Sequence, residues 1–245
     1  MIKYILLGIV QGLTEFFPVS SSGHLVILQN IMGLKGQEIV ITVILHLATV
    51  LALVIFFTKD IIRAMRDLRL IIFILIVTVI TGVIGIAGKD FFKHLFSSVK
   101  IVSAALVVTG IILIFTKKER VNNKEAGAKD AVVLGITQGL AIIPGISRSG
   151  ITISTLLFRG LSRENAFRLS FLAAIPAILG ASLLELKDIA ALEADKINLG
   201  AGFIAAFIAG LFALFFLKRI VKMGKLHYFG FYCITAGIIA LLLLK

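Results

Sequence analysis

The chain has 245 residues, of which 59% are hydrophobic and 16% charged, and its mean hydropathy is +1.09. A soluble domain of this length is about half apolar and a quarter charged, so the composition excludes an ordinary soluble protein and indicates a polytopic membrane protein. The net charge of +12 is explained by basic residues in cytoplasmic loops, and we expect no nucleic-acid partner.

The chain begins with two short apolar segments instead of one full span. A membrane-spanning helix needs about 20 predominantly apolar residues, and Met1–Phe17 falls short because Gln11 and Glu15 interrupt it. Pro18 then ends the helix. Leu25–Leu34 is shorter still, and the polar turn SSSG separates the two segments. We predict a re-entrant helical hairpin, which is tolerated at membrane depth only where protein or a water-filled cavity surrounds it.

Longer apolar runs follow this hairpin and a second one. The second hairpin is predicted from Asp130 to Gly160, broken at Pro144-Gly145 and at a Ser-Arg-Ser turn. The predicted spans are Ile39–Phe57, Leu70–Gly88, Ile101–Thr116, Ala166–Leu184, Leu199–Leu217 and Tyr228–Leu244. The expected fold is an all-α polytopic membrane protein with six transmembrane helices plus two re-entrant helical hairpins.

The two hairpins are copies of one sequence. QGLTEFFPVSSSG at 11–23 aligns with QGLAIIPGISRSG at 138–150 without a gap, and His24 follows the first copy. The first copy alone carries a carboxylate, Glu15, and the second alone carries a guanidinium, Arg148. We interpret this as a duplicated membrane unit whose halves diverged to build one asymmetric polar site.

The duplication divides a single integral membrane domain, 1–245. Repeat 1 is predicted at 1–116, a polar linker at 117–129 and repeat 2 at 130–245. Because each repeat has an odd number of crossings, the second copy enters the membrane upside down. Inverted repeats that meet near the midplane with broken helices are a known transporter architecture.

Loop charges favour one orientation. The 185–195 loop is mostly acidic, whereas basic residues crowd the segments Thr58–Arg69, Lys117–Asp130, Arg159–Arg168 and Lys218–Lys225. The positive-inside rule places those basic segments in the cytoplasm. Both termini and the first hairpin then face outward, and the second hairpin opens from the cytoplasm.

Charged residues in the hairpins are the first candidates for chemistry. Gln11 and Glu15 lie four residues apart and share one helix face. An acidic side chain at membrane depth marks a functional site, with a glutamate that reaches the headgroups as the alternative. Glu15 with phosphate oxygens and water suits Mg²⁺ or Ca²⁺. Arg148 lies between serines and glycines in a broken helix and suits bidentate phosphate binding.

Serine-rich turns precede the second helix of each hairpin. Serine caps helix N-termini, and the free amides there attract anions, phosphate above all. Plain capping without a ligand is the alternative. The candidates for holding phosphate beside Arg148 are Ser20, Ser22, Gly23, Ser147, Ser149 and Thr152.

Two histidines have different settings. His24 follows the first serine turn and is a candidate general acid or base, nucleophile or ligand, with a structural role as the alternative. His46 lies within a span, and we interpret it as structural or as support for a catalytic neighbour. Arg168 and Ser170 begin a span, and we interpret them as a cytoplasmic anchor.

These motifs resemble those of a known family. QGLTEFFPVSSSGH resembles the pattern [E/Q]xxxE followed by PxSSxGH, and PGISRSGIT resembles PGxSRSxxT. Both belong to bacterial undecaprenyl-diphosphate phosphatases of the bacitracin-resistance type, and the resemblance covers essentially the whole chain, including FRLSFLAAIPA. It implies a plasma-membrane enzyme that removes the terminal phosphate of undecaprenyl diphosphate, giving the carrier lipid used in peptidoglycan synthesis. It also implies interlocked inverted repeats, a site open to the outer side and a divalent-cation requirement.

The resemblance also implies roles by motif position. Gln11 and Glu15 are the acidic-motif pair and the expected metal ligands, Ser21 and His24 belong to the serine turn, and Arg148 binds the diphosphate. Gln11 departs from the Glu of many members. Because glutamine cannot act as a base, this weakens any mechanism that needs two carboxylates there.

We expect metal-assisted hydrolysis of a phosphoanhydride, with four catalytic residues. Glu15 binds the metal or activates the attacking group, and Arg148 stabilises the developing charge. His24 acts as acid/base or as a transient nucleophile. Ser21 positions phosphate, with a serine nucleophile as a variant.

Other functions fit parts of the pattern. A transporter or flippase of a polyprenyl phosphate lipid would use the same inverted-repeat site, but unlike an enzyme it needs two compartments. A scaffold subunit leaves the charges of Glu15 and Arg148 unexplained. The expected partners are a polyprenyl diphosphate lipid and the bilayer, and a homodimer is one assembly that we consider.

Overall fold

A computed structural model describes residues 1–32, 38–96, 98–119, 122, 124–189 and 195–243. Over these residues the chain is helical and contains no β-strand. The α-helices are α1 (Ile2–Phe16), α2 (Ser21–Met32), α3 (Glu38–Phe56), α4 (Thr58–Ala64), α5 (Leu68–Ala87), α6 (Lys89–Phe96), α7 (Val99–Phe115), α8 (Ala128–Leu140), α9 (Arg148–Phe158), α10 (Arg163–Ile189), α11 (Lys196–Lys222) and α12 (Tyr228–Leu243). The predicted all-α class is confirmed.

Several of these helices are long and apolar enough to cross a membrane. In the described residues five qualify: Ile39–Phe56, Leu68–Ala87, Val99–Lys118, Arg163–Leu184 and Lys196–Lys222. The sixth predicted span is an apolar helix of smaller length, Tyr228–Leu242. The chain is therefore a multi-pass membrane protein, with five long spans where the apolar runs predicted six.

Helix caps explain why two spans begin earlier than predicted. The Asp67 carboxylate accepts hydrogen bonds from two N–H groups of the first turn of α5. Asp195 accepts from two N–H groups of the first turn of α11 in the same way. Aspartate before a helix satisfies amides that have no intrahelical partner, so each helix starts before its apolar run.

Other boundaries also differ from the prediction. α2 begins at Ser21 instead of Leu25, so two serines form its first turn, a position that serine tolerates well. α10 runs from Arg163 to Ile189, beyond the predicted 166–184 and through Pro176. The rest of the predicted acidic loop, 190–194, lies outside the described residues.

The first helix of each hairpin packs on a long helix of the other half. α1 lies against α11, and α8 lies against α5. A Cβ atom added to Gly8 would lie 2.2 Å from the Gly202 carbonyl oxygen, and one on Gly12 would lie 2.4 Å from the Ala206 carbonyl oxygen. Small residues let helix backbones approach this closely in membranes, so α1 packs backbone to backbone on α11.

An aromatic core lies beside the hairpins. Phe171 packs edge-on against Phe16 and Phe167, with ring centroids 5.7 and 5.0 Å apart, and stacks on Phe57 at 6.0 Å. All four rings are buried. Offset and edge-on aromatic pairs add stabilisation beyond the burial of apolar area, so this core packs α10 against α1 and against the residue that follows α3.

Candidate functional site

The first hairpin turn is short and strained. Phe17 is in an extended conformation after α1, where Pro18 prevents the helix from continuing. Ser20 immediately precedes α2 and adopts φ of +66°, a left-handed conformation that is uncommon for residues other than glycine. This backbone turns the serines of α2 back toward α1.

The second hairpin turn is held by α7. Gly145 has φ of +95°, and an added Cβ would lie 2.1 Å from the Val102 carbonyl oxygen, so the turn needs glycine there. The Thr109 hydroxyl donates to the Gly145 carbonyl and accepts from the Ser147 N–H, both at 3.1 Å. The Ser147 hydroxyl caps α9 by accepting from the Gly150 N–H at 3.2 Å. Ser147 is predicted to bind phosphate, and in the structure its hydroxyl caps the helix.

The two turns meet through an ion pair. The Arg148 guanidinium donates through Nη2 to Oε1 of Glu15 at 2.5 Å. A Cβ atom on Gly150 would lie 3.1 Å from Cβ of Pro18. The carboxylate of one copy and the guanidinium of the other therefore lie in direct contact, although the two residues are distant in sequence.

The second oxygen of Glu15 faces three further side chains. Oε2 accepts hydrogen bonds from the Ser21 hydroxyl at 2.8 Å and from Nε2 of Gln11 at 3.2 Å. Nε2 of His46 lies 3.6 Å from the same oxygen. Glu15 is 8% exposed, so these groups and Arg148 replace water around the carboxylate.

Two buried polar atoms at this ion pair have no hydrogen-bond partner in the described part of the chain. They are Oε1 of Gln11, an acceptor, and Nη1 of Arg148, a donor. Leaving such atoms unpaired is costly. A phosphate oxygen would satisfy the Arg148 donor, and a cation would satisfy the Gln11 acceptor.

A divalent cation fits this set of donors. Mg²⁺ and Ca²⁺ bind carboxylate and amide carbonyl oxygens, and Mg²⁺ usually takes further oxygens from substrate phosphates. Glu15 and Gln11 offer one oxygen of each kind. The described residues contain no group of three or more His, Cys, Asp or Glu side chains suited to a metal, so substrate oxygens would have to complete the coordination.

The hydroxyl groups of the second motif mainly hold one another. The Thr152 hydroxyl donates to the Arg148 carbonyl at 2.7 Å and lies 2.6 Å from the Ser170 hydroxyl. Ser147 and Ser149 hydroxyls are 3.3 Å apart. The Arg148 guanidinium also packs on the face of Phe171, with its central carbon 5.7 Å from the centre of the ring. This cation–π contact and the bond to Glu15 orient the guanidinium.

The family follows from comparison with known proteins. The sequence profile of the family described as "Bacitracin resistance protein BacA" matches residues 4–239. The chain belongs to this family.

Relatives named undecaprenyl-diphosphatase align over nearly the whole chain. An "Undecaprenyl-diphosphatase" of Carboxydothermus hydrogenoformans is 43% identical over 249 residues, covering 98% of this chain and 95% of that protein. One of Halothermothrix orenii is 43% identical over 251 residues, covering 98% and 97%. "Undecaprenyl-diphosphatase 2" of Bacillus thuringiensis is 38% identical over 264 residues, covering 100% and 98%.

Within this family member, the first motif divides into two groups. Gln11, Glu15 and Ser21 come together with Arg148 as the motifs predict. His24 does not contact Glu15. Its Nδ1 lies 2.8 Å from the Ser20 carbonyl oxygen and its Nε2 lies 2.7 Å from a tyrosine hydroxyl.

Three residues at the site were not among the predicted catalytic or binding residues. His46 lies beside Glu15, which fits the supporting role that we considered for it. Ser170, interpreted with Arg168 as an anchor, is buried, and its hydroxyl lies 2.6 Å from that of Thr152. Tyr232 bonds to His24, and no sequence signal pointed to it, because an aromatic residue in an apolar helix is ordinary.

The predicted phosphate ligands of the first turn are Ser20, Ser22 and Gly23. The hydroxyls of the two serines lie 3.3 Å apart at the start of α2.

Proposed function

We propose that this chain hydrolyses undecaprenyl diphosphate to undecaprenyl phosphate and inorganic phosphate. Membership of the bacitracin resistance family and the names of its relatives support this activity. The structural observation that carries the proposal is the contact between Glu15 and Arg148 at the meeting point of the two hairpins. The buried Nη1 donor of Arg148 has no partner among the residues that the structure describes, and an anionic ligand would satisfy it.

Arg148 is proposed to bind the diphosphate. Its Nη1 atom is available for a phosphate oxygen while Nη2 stays on Glu15. Hydrogen bonds between guanidinium and phosphate are charge-assisted and about twice as strong as neutral ones. Arg148 is also the first residue of α9, so the positive end of that helix adds to the favourable field around the phosphate. Ser149 lies in the same first turn.

Glu15 and Gln11 are proposed to hold a divalent cation together with substrate oxygens. When bound, such a cation neutralises charge on the diphosphate and polarises its phosphorus–oxygen bonds. The Gln11 amide contributes its unpaired carbonyl oxygen. Because Gln11 is neutral, Glu15 is the single carboxylate in this cluster, so no second carboxylate there serves as a base.

Glu15 is also placed to accept a proton. Its Oε2 atom already accepts a hydrogen bond from the Ser21 hydroxyl at 2.8 Å. A general base needs this geometry toward the proton that it removes. In the proposed reaction the oxygen of water, or of Ser21 in the serine variant, forms a bond to the terminal phosphorus. The bridging oxygen–phosphorus bond breaks, and its electron pair stays on undecaprenyl phosphate. In the serine variant, water then attacks the phosphorus bound to Ser21, which releases inorganic phosphate and restores the hydroxyl. Arg148 stabilises the charge that develops on the equatorial oxygens.

His24 is proposed to act as a second acid or base on the same substrate, at a position separate from Glu15. It lies on α2, three residues after Ser21, and contacts Ser20 and a tyrosine instead of Glu15. Acid/base work at two separate positions suits a reaction in which one group loses a proton and another gains one.

The architecture is proposed to be a pair of inverted repeats with re-entrant hairpins. Each hairpin's first helix packs on a long helix of the opposite half, and the hairpin tips meet at a buried polar site. Broken helices at membrane depth are expected where they are buried in protein. We propose a plasma-membrane location with the site open to the outer side, on the strength of the basic segments at the opposite side. A homodimer stays a prediction.

The transporter alternative receives no support from the names of the relatives, which describe a phosphatase. A direct assay separates the two functions. Purified protein in detergent, with no sealed compartment, should release inorganic phosphate from a long-chain prenyl diphosphate in the presence of Mg²⁺ or Ca²⁺, and excess chelator should abolish the release. A protein that binds the lipid but releases no phosphate would contradict the proposal.

Arg148→Ala is the decisive variant in that assay. Losing one group that stabilises charge in a transition state costs about 10²–10³ in turnover, and we expect at least that loss here. Arg148→Lys should recover little, because a compact ammonium group lacks the planar fork that places one nitrogen on Glu15 and the other on phosphate. Arg219→Ala, at the exposed end of α11, is the matched control and should retain wild-type turnover. Near-normal turnover of a folded Arg148→Ala protein would refute the role of Arg148.

A further inference from the structure

His24 is held on both ring nitrogens. Nδ1 lies 2.8 Å from the backbone carbonyl oxygen of Ser20, and Nε2 lies 2.7 Å from the phenol oxygen of Tyr232. The two rings are nearly parallel, at an interplanar angle of 13° with centroids 6.0 Å apart. Tyr232 lies on α12, 208 positions later in the chain, so a distant element fixes the orientation of a residue in the first motif.

These contacts determine which nitrogen carries the proton. A carbonyl oxygen only accepts, so Nδ1 of His24 must carry a hydrogen and donate it to Ser20. In the neutral imidazole Nε2 is then an acceptor, and the Tyr232 hydroxyl donates a hydrogen bond to it. In the charged imidazolium Nε2 donates to the phenol oxygen. A phenol is both donor and acceptor, so Tyr232 satisfies His24 in either state.

The neighbours of Tyr232 on α12 also brace the first hairpin. The buried Cys233 thiol donates to the Pro18 carbonyl at 3.2 Å. The Phe229 ring packs on Phe17 with centroids 5.3 Å apart. Residues three and four apart share one helix face, so one face of α12 contacts the hairpin turn before and after its serines. Tyr232 itself is 49% exposed, so its position beside His24 depends on the hydrogen bond between them more than on burial of the side chain.

We propose that Tyr232 is a positioning residue for His24. The Ser20 carbonyl keeps the hydrogen on Nδ1, and Tyr232 holds the ring in the orientation that makes Nε2 the atom that exchanges a proton. The proposal rests on the proposed phosphatase function, in which His24 serves as acid or base. Because Tyr232 acts through His24, it should affect the chemical step more than the binding of the lipid.

Tyr232→Phe tests this, since it removes one oxygen atom and keeps the ring. We expect kcat for phosphate release to fall about tenfold, the scale of one lost hydrogen bond expressed in the transition state, with KM unchanged. Tyr228→Phe is the matched control: Tyr228 lies one turn earlier on α12 and its ring packs on His227. It should match wild type. In a His24→Ala background, Tyr232→Phe should cause no further loss, because a residue that acts through His24 has nothing left to position.

A spectroscopic measurement checks the same contact without activity. The ¹⁵N resonance of Nε2 in neutral His24 should move downfield in Tyr232→Phe, because an unprotonated ring nitrogen loses its donor. The chain has four histidines, and His24→Ala identifies the signal. Tyr228→Phe should leave the signal in place.

Several results would overturn the proposal. They are an unchanged Nε2 resonance, a kcat equal to that of Tyr228→Phe, a loss confined to KM, or an undiminished loss in the His24→Ala background. The proposed function fails in a different way: wild-type protein would release no phosphate at all. The two failures are therefore distinguishable, because the resonance can be measured in either case.

Discussion

At the scale of single residues, Gln11 gives this chain a site with one carboxylate in the acidic motif. Nε2 of Gln11 donates to Glu15, and its buried Oε1 has no partner among the described residues. Glutamine therefore steadies Glu15 as a hydrogen-bond donor, and in our proposal its oxygen is a neutral ligand for the cation. A neutral amide binds a hard cation less strongly than a carboxylate does, so the dependence on metal concentration should be sensitive to this position.

Gln11→Glu should lower the Mg²⁺ concentration needed for half-maximal phosphate release, by about tenfold, the equivalent of 1.4 kcal/mol. Two adjacent carboxylates repel each other, and a bound cation relieves that repulsion. Gln11→Ala should raise the same concentration. The measurement is a Mg²⁺ titration of initial rates for each variant.

A matched control for this prediction is Gln138→Ala. Gln138 occupies the corresponding position of the second repeat but bonds to Thr81 and to the Ala173 carbonyl, away from Glu15. Its variant should keep the wild-type Mg²⁺ dependence. If Gln11→Glu and wild type needed the same Mg²⁺ concentration for half-maximal phosphate release, Gln11 would not be a metal ligand.

At the scale of elements, α1 carries Gln11 and Glu15 and depends on α11 for its position. Contact between the two backbones is possible because glycines lie on the facing surfaces. Helix association in a membrane relies on such close packing more than on burial of apolar area, since lipid is itself apolar. The position of the site carboxylate is thus determined by small residues that take no part in chemistry.

Gly12→Ala should destabilise the protein and reduce its activity together. The added Cβ would lie 2.4 Å from the Ala206 carbonyl oxygen and 2.8 Å from Cβ of Ala209, so α1 must move away. Overpacking of this kind costs about 1–3 kcal/mol. Thermal unfolding in detergent and the rate of phosphate release measure the two effects.

Gly82→Ala is the control for the added methyl group itself. Gly82 lies on α5, and a Cβ there would meet nothing within 4 Å. Alanine is a better helix former than glycine, so this variant should be as stable as wild type or slightly more so. Equal unfolding temperatures for Gly12→Ala and Gly82→Ala would show that α1 and α11 do not need their close contact.

At the scale of the whole molecule, an ionic cluster ties the linker between the halves to the second hairpin. Asp130 is 1% exposed at the start of α8. Its carboxylate accepts from Lys124 of the linker at 2.9 Å and from Arg159 after α9 at 2.7 Å. Burial alone would raise the pKa of Asp130, but the hydrogen bonds from Lys124, the Gly127 N–H and Arg159 outweigh it and lower the pKa below the ordinary 3.8.

This lowered pKa predicts a loss of stability in acid. A carboxyl whose pKa is lower in the folded than in the unfolded state stabilises the fold at pH values above its unfolded pKa. The contribution disappears as the pH falls below the ordinary value of 3.8 and through the folded pKa. Asp130→Asn should therefore unfold at a lower temperature at pH 7, by roughly 5 °C, and should lose less stability than wild type on acidification.

The control for acidification is Asp90→Asn, which changes an exposed carboxylate in the first turn of α6. Its unfolding temperature should follow that of wild type at every pH. If the unfolding temperatures of wild type and Asp130→Asn fell in parallel as the pH was lowered from 7, ionised Asp130 would make no contribution to stability.

The class of the protein and its central charge pair were predictable from local features of the sequence. Apolar runs long enough to span a membrane and interrupted ones that are too short are visible residue by residue, since the length of a helix is proportional to its residue count. A carboxylate and a guanidinium inside apolar segments are costly wherever they point. Glu15 and Arg148 were therefore identifiable before any contact was known, and their duplicated setting suggested that they meet.

The environment of each histidine was decided only by the tertiary structure. His24 is close to the serines along the chain, which suggested a place beside Glu15, but α12 holds it on Tyr232. His46 reaches Glu15 from α3 instead. Neighbours in a motif predict proximity along one helix, whereas side-chain contacts depend on which helices pack together. That packing follows from complementary small surfaces, such as Gly12 on Ala206. The GxxxG spacing of Gly8 and Gly12 indicates a packing face in the sequence, but it does not say which helix packs there.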